Sequence, residues 1–152
     1  METLREVQNY LNEIDCINYG GCGISAYSMY LWLKKNNLIN SSFRFVLCYK
    51  GYSEDIYVNN SNVLRNNKGK AIAPNHMVIF YDGKYIDSEG TVNISKYSWI
   101  QHIEEEWFII NCLNNINTWN DLFNRSNIRK IEKDLGIKLK NIKRTRRTID
   151  WF

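Results

Sequence analysis

The sequence holds one proline, Pro74, and only two histidines, His76 and His102. None of its apolar runs approaches the roughly 18 residues that a membrane span requires. Its four cysteines, Cys16, Cys22, Cys48 and Cys112, contain no CxxC pair and no regular spacing. Structural zinc sites are marked by close paired ligands, so neither a metal centre nor a disulfide framework is expected. The opening residues, Met1 to Val7, have neither the cationic start nor the apolar stretch of a signal peptide. A cytoplasmic location without membrane contact follows as the expectation. No repeat, nucleic-acid motif or composition-biased linker divides the chain, so residues 1–152 are expected to form a single domain.

What is present suits a folded domain. Apolar residues make up 44% and aromatics 14%, enough for a real core, and 24% charged residues do not suggest disorder. Asparagine pairs recur, as at Asn36-Asn37 and Asn66-Asn67, a compositional hint of an AT-rich coding genome. Leu4, Val7, Leu11 and Ile14 have helical spacing, which predicts a helix within residues 2–14. A second helix is expected from about Cys22 to Lys35. It is apolar nearly all round, as a buried central helix would be. Residues 43–49 read as a strand, with Cys48 inside it as a small buried hydrophobe. Cys112 reads the same way. Residues 50–75 read as a long polar loop with a short strand near Ile56 to Val58.

Asp82-Gly83 stands between two apolar runs, the strongest short-range hairpin signal. A two-residue loop pairs Tyr81 with Lys84, and counting back pairs His76 with Glu89. Trp99, Ile103, Trp107 and Ile110 predict a helix over residues 96–111. Residues 118–135 predict one or two helices ending at Gly136, with Ile128, Ile131 and Leu135 facing the core. Ile137 to Lys140 alternates like a short strand. His102 reads as a helix surface residue.

Cys22 lies in Asn18-Tyr19-Gly20-Gly21-Cys22-Gly23, at the start of the second helix. A helix N-terminus favours a thiolate, because its unpaired N–H groups and dipole stabilise negative charge. The glycines leave room for a carbonyl to approach and leave backbone N–H groups free for an oxyanion. Asn18 is a candidate side-chain donor to the same oxyanion. His76 opens the hairpin strand, and the two-residue loop places His76, Asp87 and Glu89 on one face. A thiol, a base and a carboxylate behind the base are the elements of triad chemistry. Cys22 is the candidate nucleophile, His76 the base and Asp87 its orienter, with Glu89 as the rival orienter.

Gly21-Cys22-Gly23 opening a buried helix, His76 opening a strand, and Asp82-Gly83-Lys84-Tyr85-Ile86-Asp87 following it resemble the papain-like and transglutaminase-like cysteine enzymes. The likeness is greatest to their compact bacterial and phage-borne members, including bacteriocin-processing peptidases, and covers about residues 18–92. It implies an α+β papain-like fold, with the cysteine-bearing helix packed on an antiparallel sheet and a helical C-terminal part. It also implies a cofactor-free hydrolase or acyltransferase acting on a protein or peptide. The upstream glutamine that papain-like peptidases use as an oxyanion donor has no counterpart, and Cys16 stands near that position. A catalytically inactive scaffold that binds a host protein or nucleic acid is the alternative, acting in the host cytoplasm if phage-encoded.

The charge is polarised. From Arg125 to Arg147 ten Lys or Arg face Glu132 and Asp134, a local net of +8; the chain total is +4, so the remainder carries −4. Lys143, Arg144, Arg146 and Arg147 form the densest patch of this basic segment (about 125–152) and are the candidate contacts for nucleic acid or a partner. A cationic end lying on the acidic remainder is the favoured reading, and Trp151-Phe152 is expected to anchor the terminus in an apolar groove.

Overall fold

The computed structural model describes residues 1–15, 17, 21–50, 64–65, 71–72, 76–114 and 125–139. Helix α1 spans Leu4–Asn12 and α2 spans Cys22–Lys35. The strands are β1 (Arg44–Tyr49), β2 (Leu64–Arg65), β3 (Ala71–Ile72), β4 (His76–Tyr81), β5 (Lys84–Asp87), β6 (Gly90–Thr91) and β7 (Trp99–Ile103). Two further helices follow, α3 (Glu106–Asn114) and α4 (Arg125–Leu135). The architecture is α+β. Five strands form an antiparallel sheet in the order β6-β5-β4-β1-β7, and β2 pairs with β3 separately.

Local chemistry explains most of these elements. Thr3 caps α1 by accepting the Glu6 N–H at 3.2 Å, and the periodic Val7 and Leu11 are fully buried. Helix α2 is buried from Cys22 to Met29 and again at Trp32 and Leu33, as an all-round apolar helix must be. Asp82 and Gly83 both take positive φ, 52° and 73°, the conformation that a two-residue hairpin turn demands. Tyr81 therefore pairs with Lys84, Phe80 with Tyr85 and Ile79 with Ile86.

The sheet has two unlike faces. Phe45, Leu47, Met77, Ile79, Ile86 and Ile103 pack into one cluster with residues of all four helices. Val46, Cys48, Val78 and Val92 form a second cluster, edged by Phe80, Tyr85, Ile94, Tyr97 and Ile100. Polar ties join the helices. Glu106 accepts hydrogen bonds from Tyr27 (2.7 Å) and Tyr30 (3.2 Å), linking α2 to α3. Tyr10 donates to Asp134 at 2.7 Å, linking α1 to α4.

Residues 96–111 do not form one helix. Trp99–Ile103 is a strand that pairs with β1 from Phe45↔Ile103 to Tyr49↔Trp99. Without it, β1 would present unpaired N–H and C=O groups along a sheet edge. The i, i+4, i+8 spacing of Trp99, Ile103 and Trp107 fits a strand up to Ile103, because four residues is also an even number. Past that point Ile109 and Leu113 face the core, whereas Trp107 is 61% exposed. His102 is a surface residue, but of β7 and not of a helix. In the C-terminal part α4 ends at Gly136 (φ 64°), with Ile131 and Leu135 buried and Ile128 packed beside them. Ile137 and Leu139 point inward and Lys138 outward, yet residues 137–139 join no ladder. Leu139 instead donates its N–H to Glu132 at 2.8 Å. The strand expected near Ile56 to Val58, residues 118–124, Cys16 and the side chain of Cys112 lie outside the described residues. So does the end of the chain with Trp151-Phe152. Among the described residues no helix is long and apolar enough to cross a membrane.

Candidate active site

His76 is the first residue of β4, Asp87 the last of β5, and Cys48 lies opposite His76 near the end of β1. Antiparallel pairing therefore collects all three at one end of the sheet. Helix α2 brings its first residue, Cys22, to the same place, close enough to the His76 ring to favour its charged form. Gly21 makes that helix start fit. A Cβ there would lie 2.6 Å from the Ile17 carbonyl oxygen, so the backbone approach excludes any side chain.

The His76 imidazole and Asp87 carboxylate form a direct pair, Nε2 to Oδ2, at 3.0 Å. Both side chains are largely buried, 20% and 15% exposed. Oδ1 of Asp87 accepts the Glu89 backbone N–H at 2.8 Å, which fixes the carboxylate plane. Burial opposes charge on His76, but hydrogen bonds to Asp87 and Cys22, with the charges of both, outweigh it and raise the imidazole to about 9. Burial likewise opposes charge on Asp87. The His76 hydrogen bond and the N–H groups of Glu89 and Gly90 outweigh it and hold the carboxyl below its ordinary value. The Asp87 carboxylate can only accept, so Nε2–H of His76 donates to it. Nδ1 is the ring nitrogen left for the thiol.

The surroundings are specific. Tyr97 lies nearly parallel to His76, ring centroids 6.0 Å apart and planes 16° from parallel. Lys96 places its ammonium 5.2 Å from the Tyr97 ring centroid. Cys48 is fully buried, and burial together with the nearby Cys22 pushes its thiol up to about 12, against the opposing charge of Lys96. The two cysteines differ in setting: Cys22 starts a helix beside an imidazole, and Cys48 is held protonated within β1.

No family model matches this chain, and no curated protein and no solved structure matches it significantly.

Cys22, His76 and Asp87 come together as the sequence pattern expects. Glu89 does not approach as an orienter. Strand β5 ends at Asp87, the chain turns through Ser88 and Glu89, and Gly90 pairs with Asp87 in place of Glu89 pairing with His76. Glu89 serves through its backbone N–H while its side chain is exposed. His102 is remote from the pair and hydrogen-bonded to the Tyr85 hydroxyl at 2.9 Å. Asn18, Lys143, Arg144, Arg146 and Arg147 lie outside the described residues. Among the described residues no group of three His, Cys, Asp or Glu side chains is arranged to hold a metal ion.

Sequence reasoning missed two residues at the site. Tyr97 precedes β7 and carries no local signal. Gln8 donates to the Asp87 backbone carbonyl at 2.9 Å although it lies on α1. Its signal was present: it interrupts the apolar stripe of Leu4, Val7 and Leu11 with a polar side chain that is only 6% exposed.

Proposed function

We propose that the protein is a cysteine-dependent hydrolase or acyltransferase with a papain-like arrangement, acting on an amide, ester or thioester carbonyl, with a peptide or isopeptide bond as the favoured target. The observation that carries this reading is the buried 3.0 Å His76–Asp87 pair, with Cys22 beside the same ring at a helix N-terminus. Buried charge pairs are costly unless well satisfied, and this one opens onto a thiol.

The chemistry follows from the placement. His76 Nδ1 takes the Cys22 thiol proton as Sγ attacks the carbonyl carbon. The carbonyl oxygen becomes an oxyanion near the backbone N–H of Cys22 at the start of α2, with Asn18 as the candidate second donor. His76 then protonates the leaving nitrogen, oxygen or sulfur, and a thioester to Cys22 remains. Water or another acceptor gives its proton back to His76 and attacks the thioester, which frees the acyl group and restores the thiol. Asp87 holds the imidazole orientation and stabilises its positive charge throughout.

The test starts with the thiols. Limited iodoacetamide at pH 7 should alkylate Cys22 well before Cys48, read by peptide mass mapping, because both are buried but Cys22 stands beside the His76 base while Cys48 is held protonated. Equal and slow labelling of both would remove the hydrolase reading and favour an inactive scaffold that binds a partner. Peptide and thioester substrate panels should then give turnover with the native protein and none with Cys22→Ala.

A further inference from the structure

Gln8 belongs to a helix that supplies no strand and no member of the triad. Its Nε2 nevertheless reaches across 79 positions of chain to the carbonyl oxygen of Asp87, at 2.9 Å. An amide taken out of water is unfavourable without a partner, and this one is only 6% exposed. On the same helix, Tyr10 is tied to α4 through Asp134. Helix α1 is thereby held from one side by α4 and holds Asp87 on the other.

Asp87 is the last residue before a tight turn, where a strand end is free to fray. Asp87 is held by the Gln8 amide on its backbone carbonyl, the Glu89 N–H on Oδ1, His76 on Oδ2, and its pairing with Gly90. The first comes from outside the β4–β5–β6 hairpins and sets where the turn sits relative to α2. A tilt of the Asp87 peptide would swing the carboxylate away from the ring.

We propose that Gln8 is a positioning residue for the reaction: by holding the Asp87 backbone it aims the carboxylate at His76 Nε2, which makes the N-terminal helix a working part of the site. This rests on the cysteine-hydrolase reading above. The titratable groups around His76 are Cys22 of α2, Cys48 of β1, Asp87 of β5, and Lys96 and Tyr97 of the segment before β7. Substitution at position 8 alters none of them, so a change at His76 reports on aim alone.

The experiment compares the full-length native protein with Gln8→Met and Gln8→Leu, two uncharged side chains without a hydrogen-bond donor. Two quantities are read: the NMR titration midpoint of His76 and the rate of Cys22 alkylation by iodoacetamide at pH 7. The midpoint should fall from about 9 toward the ordinary imidazole value of about 6.5. Alkylation should slow roughly tenfold in both variants, with far-UV dichroism unchanged. A midpoint and a rate equal to native, with only the melting temperature lowered, would overturn the proposal and leave Gln8 a packing residue. If one variant does not fold, the other carries the comparison. If native Cys22 proves unreactive while the His76 midpoint still falls, the hydrolase reading fails and the positioning of Asp87 by Gln8 stands.

Discussion

Asp87 divides its carboxylate between the Glu89 backbone N–H and the His76 ring, and on the proposed function that division lets it orient the imidazole. Asp87→Asn removes the charge and keeps the shape. His76 should then titrate well below its native midpoint of about 9, and Cys22 alkylation at pH 7 should slow by on the order of a hundredfold. Glu89→Gln should leave both close to native, because Glu89 acts through its main chain. Gly21 makes a second prediction at this scale. Gly21→Ala puts a Cβ against the Ile17 carbonyl and displaces the start of α2. A loss of about 1–3 kcal/mol in urea unfolding, together with slower Cys22 alkylation, is expected. The chemistry-bearing residues were legible because each carries its own local sign: a cysteine among glycines, a rare histidine, an aspartate after a turn. Tyr97 was not, since what it touches lies far along the chain, and Gln8 showed only as a polar break in an apolar stripe, which does not name its partner.

Among the elements, the β4–β5 hairpin sets the site. The positive φ of Asp82 and Gly83 gives a two-residue loop, and that loop puts His76 and Asp87 on one face. One glycine inserted between Asp82 and Gly83 should slip the register by one and turn Asp87 to the opposite face. Loss of Cys22 reactivity with retained far-UV dichroism is the expected outcome, and unchanged reactivity would show that the turn does not govern the register. The register was legible because turn type depends on two adjacent residues. The end of β5 was not, because the pairing of Asp87 with Gly90 depends on strand β6, which is two residues long. Strand β7 was likewise hidden: Trp99–Ile103 satisfies a helical spacing and a strand alternation alike, and the open edge of β1 decides between them.

For the molecule as a whole, the His76–Asp87 pair ties stability to pH. His76 is raised in the folded state, so its contribution is full below about 6.5, declines as pH rises, and is gone above about 9. Asp87 is lowered, so its contribution is present above its ordinary range near 3.9 and is lost as pH falls through the folded value. Thermal melts should therefore show a plateau between about pH 4 and 6.5 with a decline toward pH 9. The Asp87→Asn variant should flatten the alkaline decline. A native profile that stays level from pH 6.5 to 9 would show that the pair contributes nothing to folding.

Sequence alone determined the parts governed by neighbouring residues: the apolar faces of α1 and α2, the Asp-Gly turn with its register, and the order of Cys22, His76 and Asp87 along the chain. Hydrogen bonds and steric limits over a few residues suffice for these. Tertiary structure decided the rest. It made Trp99–Ile103 a strand by offering the free edge of β1. It chose Asp87 over the Glu89 side chain by closing a turn between them, set Tyr97 parallel to His76, and brought Gln8 to the Asp87 carbonyl. Each of those outcomes depends on a partner distant in sequence, and only packing determines which partner it is.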